Sequence, residues 1–184
     1  FAESLAKTHG IPFLHERLNL PESGNLMENA RVARYAKLNQ IAESKHIPVI
    51  ATGHTATDQA ETIVFNLARG TGPTGASGMN PLDRGLFRPL LQTPRPATIA
   101  HVTQEKIPFA SDPTNDDSRY SRVYLRQTIL PALSRINPKA TENINFFGTL
   151  IREDDEFLQV QARKILSENQ RILGSLSLEN MDQI

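Results

Sequence analysis

The 184-residue sequence has no cysteine, no excess of either charge and no long apolar run. Without cysteine, this chain can form no disulfide, thiolate metal site or cysteine nucleophile. Lysine plus arginine number 20, as do aspartate plus glutamate, so no net field would draw the chain to nucleic acid or an anionic membrane. No apolar stretch approaches the roughly 20 residues of a membrane helix. These absences favour a cytoplasmic protein with no membrane partner, in which local patches would provide any contact with nucleic acid.

Helical and strand-forming segments alternate along most of the chain. We predict helices at about residues 1–9, 27–44, 55–69, 97–105 and 118–133, and strands at 11–20 and 46–52. Strands separated by such helices indicate parallel βαβ units. Beyond Pro138, apolar residues recur every seven positions and predict one long amphipathic helix, interrupted at Gly174. The sequence thus predicts an α/β domain at residues 1–137, followed by a helical connector at residues 138–184.

The segment that follows the second predicted strand carries the clearest chemical pattern. Gly53 stands at the strand's C-terminal end, and His54, Asp58 and Glu61 follow at helical spacing. In an open α/β sheet, ligands bind at that edge. Two carboxylates there suit a cation, either an ammonium group or Mg²⁺. The alternative is that both acids only complement the helix dipole and form a capping-box-like pair.

One arginine of the helix at 27–44 falls on its apolar side. In projection, Arg34 lies between Leu38 and Ile41. A buried guanidinium needs a carboxylate or phosphate partner. The alternative is a side chain that extends to solvent from the edge of the core. Arg31 projects away from this stripe, and we interpret it as a solvated charge.

Two further arginines, Arg122 and Arg126, lie within the apolar stripe of the helix at 118–133. Two guanidinium groups on an inward face suggest an anion site. The acids of the loop at 112–117 offer another interpretation, because they could pair with both arginines in a structural network. We favour a combination of the two roles.

A glycine-rich segment at residues 70–78 is the remaining candidate for ligand contact. Its backbone N–H groups could cradle a phosphate, but it lacks the lysine and serine spacing of a Walker A motif, and a flexible surface loop is the simpler interpretation. The five histidines show no metal-ligand spacing. We therefore expect no zinc site.

Several short motifs occur in a fixed order along the chain: Asn25-Leu26, Ala30 to Tyr35, Gly53 to Thr62, Arg69 to Gly72, Arg88 to Leu91 and Asp112 to Arg126. In order and spacing they resemble the motifs of tRNA(Ile)-lysidine synthetases. The resemblance covers about residues 1–137. The helix after Pro138 resembles the connector to that family's C-terminal tRNA-binding domains.

The resemblance implies a parallel-sheet, Rossmann-type PP-loop fold of the adenine nucleotide alpha hydrolase-like class. It implies ATP and Mg²⁺ as cofactors, and free L-lysine and tRNA(Ile) with a CAU anticodon as partners, with a homodimer as a further expectation. In the implied reaction, ATP adenylates the wobble cytidine at C2, and the ε-amine of lysine then displaces AMP.

The resemblance also assigns residues to roles. Asp58 and Glu61 would hold the lysine ammonium or Mg²⁺ and assist deprotonation of the amine. Arg34 and Arg126 would contact the ATP phosphates or the developing negative charge, and Gly53 and His54 would join them in binding ATP. The residues assigned to the tRNA or substrate are Arg69, Arg88, Asn115 and Arg122.

The chain departs from the family pattern in several places. The PP-loop signature, Ser-Gly-Gly-x-Asp-Ser, is absent, and the chain opens with Phe1 rather than methionine. We expect an N-terminally truncated core that is inactive by itself. Met27, Thr57 and Tyr124 replace charged residues of many relatives, which would reduce the charge at the ATP or tRNA face.

Two other functions stay open. Another PP-loop enzyme, such as a tRNA thiolase, shares the nucleotide fold but relies on cysteines, and their absence argues against it. A noncatalytic or degenerate tRNA-binding fragment would retain the scaffold without turnover. The sequence upstream of Phe1 would discriminate between the degenerate fragment and the enzyme.

Overall fold

The computed structural model describes residues 1–20, 26–110 and 121–179, with backbone alone at 26, 27 and 170–179. Its elements, in chain order, are α1 Ala2–Thr8, α2 Leu26–Ser44, β1 Ile50–Ala51, α3 Ala56–Arg69, α4 Pro73–Ala76, β2 Leu82–Asp83, β3 Leu86–Phe87, α5 Arg95–Gln104, α6 Ser121–Tyr124, a π-helical turn Leu125–Ile129, α7 Leu130–Ile136 and α8 Ala140–Glu179. The predicted helices are all present in the described part of the chain.

A small mixed sheet organises the domain, with strand order β1-β3-β2. β1 pairs parallel to β3, Ile50 opposite Leu86, which confirms the predicted parallel pairing. β2 and β3 form an antiparallel hairpin whose two-residue turn, Arg84-Gly85, has positive φ at both positions. That conformation matches the twist of a tight hairpin. The hairpin thus carries β3 back alongside β1, so that both strands end at the same edge.

The strand predicted at residues 11–20 is wrong, because this segment has no regular secondary structure. Its apolar residues Ile11 and Leu14 are about 60% exposed. Strand propensity describes how well a residue packs on a half-buried pleated surface. Within the described residues, no neighbouring strand gives this segment such a surface.

The core lies where α3 meets α4, α8 and the helical segment at 121–136. Ile63 and Glu61 of α3 are both fully buried. Gly148 of α8 lies against Ile63 and the carbonyl of Ser77, and a Cβ there would stand 2.6 Å from Ile63 Cδ1. Glycine is therefore what allows α8 to approach α3 this closely.

The helix predicted at 118–133 is present from Ser121 as α6 and α7, joined by the π-helical turn. Pro131 stands at the start of α7. Since proline has no N–H and its ring clashes with the carbonyl four residues earlier, the regular α-helical pattern is not available across this junction. The wider turn accommodates the proline without ending the helix.

The long helix predicted beyond Pro138 is α8, which continues through Gly174 to Glu179. The predicted interruption at Gly174 is therefore wrong, since one glycine lowers helix stability by only about 1 kcal/mol. The first turns of α8 pack on the domain, whereas every side chain from Glu156 to Asn169 is exposed. The division into units at residues 1–137 and 138–184 stays a prediction. Among the described helices, none combines the length and apolarity needed to cross a membrane.

Candidate active site

The N-terminus of α3 stands at the edge of the sheet where β1 and β3 end. Thr55 is the N-cap residue and forms a capping box with Asp58. One carboxylate oxygen of Asp58, Oδ2, accepts from the Thr55 N–H at 2.8 Å and from the Thr55 hydroxyl at 2.7 Å. The capping interpretation is thus right for Asp58, with Thr55 and not Glu61 as the other member of the box.

Arg126 binds both acids of α3. Its Nε lies 2.5 Å from Oε1 of Glu61, and its Nη2 lies 3.1 Å from both Oε2 of Glu61 and Oδ1 of Asp58. The guanidinium therefore holds Glu61 bidentately and reaches Asp58 with the same terminal nitrogen. The π-helical turn positions Arg126 for this contact. The anions predicted for Arg126 are, in this structure, the carboxylates of α3.

Burial and charge act against each other in this cluster. Burial raises the pKa of Glu61, whose side chain is fully buried, while the hydrogen bond and charge of Arg126 oppose the rise. Burial alone would lower the pKa of Arg126, but the hydrogen bond with Glu61 and the charges of both acids outweigh it, so the pKa is raised. The arginine thus keeps its charge, which offsets one of the two carboxylates.

His54 follows β1 and Gly53 at the same edge of the sheet. Its Nδ1 is 2.9 Å from the hydroxyl of Thr52, which orients the ring. Burial lowers its pKa from the ordinary 6.5, Asp58 raises it, and the charges of Arg88, Arg122 and Arg31 lower it further. A Cβ added at Gly53 would meet no neighbouring atom within 4 Å, so the backbone beside His54 is open. A pKa below 6.5 favours the neutral imidazole at pH 7, and the nearby cations act in the same direction as burial.

Three arginines from separate elements lie near enough for their charges to lower the pKa of His54. Arg31 belongs to α2, Arg88 follows β3, and Arg122 belongs to α6. Arg88 and Arg122 were singled out from the sequence, whereas Arg31 was interpreted as a solvated charge. Arg31 is exposed but close enough to His54 to affect its pKa. The signal available in the sequence was that Arg31 lies three residues before Arg34, which places both on neighbouring parts of one helix face.

Arg88 is a buried cation, with 8% of its surface exposed. Its Nη1 donates to the carbonyl of Asn80 at 2.6 Å, and its backbone N–H donates to Pro81. Its Nε is buried without a hydrogen-bond partner in the described part of the chain. Burial leaves little of Arg88 exposed for contact with an outside molecule, while its charge lowers the pKa of His54.

Arg34 is exposed, which favours the interpretation of a side chain that extends to solvent over that of a buried guanidinium. Its guanidinium lies 5.7 Å from the ring centroid of Tyr35, a cation–π contact at the surface. The other residues of its stripe, Ala30, Leu38 and Ile41, are partly buried. Arg34 thus lies at the edge of a partly covered stripe and requires no buried anion.

Arg69, one of the residues assigned to the tRNA, is not brought to the site. Arg69 stands at the end of α3, eleven residues beyond Asp58 and roughly 16 Å along the helix axis. It stacks on Phe65 at 5.3 Å. Asn115 lies outside the described residues. Of the three described residues assigned to the tRNA, Arg122 is the one that combines proximity to His54 with partial exposure.

The glycine-rich segment at 70–78 is fastened to the domain. Gln59 of α3 donates to the carbonyls of Ser77 and Met79, both at 3.2 Å, and accepts from the Met79 N–H. Arg152 of α8 donates to the same two carbonyls at 2.8 and 2.9 Å. The interpretation as a flexible loop is wrong for this end of the segment. The sequence pattern gave no indication of Arg152, because this residue lies beside the apolar stripe.

Asp58 and Glu61 do not form an open pair of carboxylates for Mg²⁺. Both oxygens of Glu61 contact Arg126, and the side chain is inaccessible. Within the described residues, no group of three or more histidines, aspartates or glutamates could hold a metal. A magnesium site built from Asp58 and Glu61 together does not fit this arrangement, since the guanidinium already occupies the position that a cation would take.

Asp58 keeps capacity for one more ligand. A carboxylate offers about four acceptor positions, and Asp58 uses two on Oδ2 and one on Oδ1. Its side chain is 18% exposed, whereas that of Glu61 is not exposed at all. Of the two acids, Asp58 is therefore the one that can meet a donor from outside.

Comparison with known proteins defines the class of this domain. Residues 1–133 match the family model described as a PP-loop domain. A U34-tRNA thiolase from Methanococcus maripaludis shares the fold with a TM-score of 0.65 at 20% identity, over 82% of this chain and 55% of the thiolase chain. The chain belongs to the PP-loop family.

Within that class, the chain is similar to tRNA(Ile)-lysidine synthases, which confirms the resemblance noted from its motifs. It is 40% identical over 135 residues to the enzyme of Thermosipho africanus, covering 73% of this chain and 32% of that protein. It is 36% identical over 172 residues to the enzyme of a Nostoc species, covering 90% of this chain and 50% of that protein. The chain thus spans about a third to a half of these relatives' length.

Proposed function

We propose that this chain is part of a tRNA(Ile)-lysidine synthase, which uses ATP to join free lysine to the wobble cytidine of tRNA(Ile) with a CAU anticodon. The observation that carries the proposal is the arrangement at the carboxyl edge of the sheet. A partly exposed carboxylate, Asp58, stands there beside a neutral imidazole and a set of arginines. The same edge thus offers one group for a cation and several for an anion.

The proposed reaction has two steps. O2 of the cytidine attacks the α-phosphate of ATP, an O–P bond forms and pyrophosphate leaves. The ε-amine of lysine then attacks C2, a C–N bond forms, the C2–O bond breaks and AMP leaves. The amine must lose protons as it attacks, so a nearby base is needed.

Asp58 is our candidate for holding the lysine ammonium and assisting its deprotonation. Its free acceptor position on Oδ1 matches a single N–H donor. We assign Glu61 a positioning role instead, because it is enclosed with Arg126 and holds the guanidinium against Asp58. This assignment gives Asp58 and Glu61 different roles, whereas the resemblance assigns both acids the same role.

Arg122, Arg88 and Arg31 are our candidates for the anionic side of the reaction. All three lie near enough to affect the pKa of His54. Phosphate charge develops and leaves in both steps, and fixed cations in a partly buried site stabilise it more than water does. A neutral His54 ring can donate a hydrogen bond to ATP, or accept one from it, without adding charge to the site.

The proposal is tested with the natural protein that contains this chain, assayed with ATP, labelled lysine and tRNA(Ile). Asp58→Asn retains a capping side chain and is expected to reduce lysine transfer about 100-fold, the scale of a lost base. ATP–pyrophosphate exchange, which reports the first step, should fall much less. Asp83→Asn, an exposed acid in β2, is the control. Unchanged lysine transfer in Asp58→Asn would contradict the role of Asp58.

A further inference from the structure

A pocket of about 440 Å³ lies on the side of α3 away from Arg126. Ala56 and Gln59 line it, whereas Asp58 and Glu61 face Arg126. Its other walls come from the segment before and within α5 and from the first turns of α8. The volume lies in the range of small-molecule sites. The pocket is therefore distinct from the acid cluster, although both use α3.

The pocket combines a cation with a balancing acid. Arg152 lines it, and its Nε is buried without a partner in the described residues, while Nη2 holds the two loop carbonyls. Burial lowers the pKa of Arg152. Glu142, in the first turn of α8, lines the exposed part of the wall. The side-chain charges of these two residues cancel.

Three helices also begin at this pocket. Thr57 lies in the first turn of α3, Pro96 in that of α5 and Thr141 in that of α8. The dipole of each helix places partial positive charge at its start, although several N–H groups there already donate to carbonyl or hydroxyl oxygens of the chain. Because the charges of Arg152 and Glu142 cancel, this weak positive potential suits one negative charge better than the several of a triphosphate.

Apolar side chains line part of the remaining wall, beside several polar ones. Phe146 and four prolines, Pro81, Pro94, Pro96 and Pro138, line the pocket. Phe146 is 63% exposed, so its ring is available to a ligand. Flat rings of this kind stack on nucleic-acid bases in a way that tolerates any base.

We propose that this pocket binds one unpaired nucleotide of an RNA strand, with the base on Phe146 and the phosphodiester toward Arg152. The site takes a base and a single negative charge together, which is the chemistry of one nucleotide within a strand. The choice of RNA rests on the proposed function, whereas the pocket does not depend on the reaction.

Binding of a short labelled single-stranded RNA to the full chain, followed by fluorescence anisotropy, tests the proposal. Phe146→Ala is expected to weaken binding about tenfold, within the range measured for a lost base stack. Phe157→Ala is the matched control, since Phe157 is also 63% exposed on α8 but does not line the pocket. It should change binding less than twofold.

A second variant tests the phosphate. Thr149 lines the pocket and is exposed, so Thr149→Glu places a negative charge there without disturbing the core. We expect at least tenfold weaker RNA binding, with Thr149→Gln close to the parent. If either Phe146→Ala or Thr149→Glu binds the RNA as tightly as the parent protein does, the proposal is overturned. Free CMP that binds as tightly as the RNA overturns the assignment to a strand.

The proposed reaction and the proposed RNA pocket can be contradicted independently of each other. Asp58→Asn should leave RNA binding within twofold while it lowers lysine transfer. If lysine transfer is absent from the parent protein, the proposed function fails, yet the Phe146 and Phe157 comparison still decides the pocket.

Discussion

Arg126 holds two carboxylates that come from a different helix. Glu61 is fully buried, and its two oxygens both contact the guanidinium. Breaking such a pair costs more than the pair contributes, because it leaves a buried charge without compensation. The cluster is therefore a constraint on stability as much as a part of the site.

We predict that Arg126→Met destabilises the protein by about 3–5 kcal/mol. The double variant Arg126→Met with Glu61→Leu should recover most of this loss, because no charge is then left buried. Urea unfolding monitored by circular dichroism measures both. Arg135→Met, at an exposed position in α7, is the matched control. A double variant as unstable as the single one would contradict the explanation.

His54 provides a pH dependence with a defined sign. Burial lowers its pKa below 6.5, so the unfolded chain binds the proton more readily than the folded one. The free energy of unfolding should therefore fall as the pH decreases from 6.5 to the folded-state pKa, and level off below it.

His54→Gln should remove that part of the pH dependence, as measured by urea unfolding at several pH values. The His54 ring should titrate below 6.5 in NMR spectra, and lower still in Asp58→Asn, because Asp58 raises its pKa. A midpoint at or above 6.5 in the parent protein would show that burial does not dominate.

At the residue scale, the sequence predicted the residues of the candidate site but not their pairings. His54, Asp58 and Arg126 could be found because helix periodicity and strand ends are local patterns. The contact between Arg126 and Glu61 spans 65 positions, and periodicity carries no information about such distances. The apolar stripe around Arg34 left open whether its guanidinium is buried or reaches solvent, because what covers a stripe is a tertiary property.

Among the elements, the helices could be predicted more reliably than the strands. The cap residues Thr55 and Gly70 mark the start and the end of α3, and both are local signals in the sequence. The strands are two residues long, and they exist through pairing with distant segments. An apolar run such as residues 11–20 cannot show from its own sequence whether a partner is present.

The contact between α3 and α8 depends on Gly148. We predict that Gly148→Ala destabilises the protein by about 1–3 kcal/mol, despite alanine's higher helix propensity, because Ile63 leaves no space for a methyl group. Ile63→Val removes the Cδ1 atom that the new Cβ would meet. The double variant should therefore lose less than the sum of the two single changes in urea unfolding. Additive losses would rule out this contact as the cause.

For the molecule as a whole, α8 is divided into a packed and an unpacked half. The first turns contact α3, α4 and α7, whereas the side chains at 156–169 are exposed. We predict that amide hydrogens at 156–169 exchange faster than those at 143–152, because fewer contacts hold that half of the helix. Hydrogen exchange with mass spectrometry measures this. Equal protection along α8 would indicate that a second chain covers the distal half.

Arg152 and Gln59 hold the same two carbonyl oxygens from two different helices. α8 cannot slide along α3 without breaking bonds at both, so the two helices move together. The carbonyls of Ser77 and Met79 thus join α8 to the helix that carries Asp58.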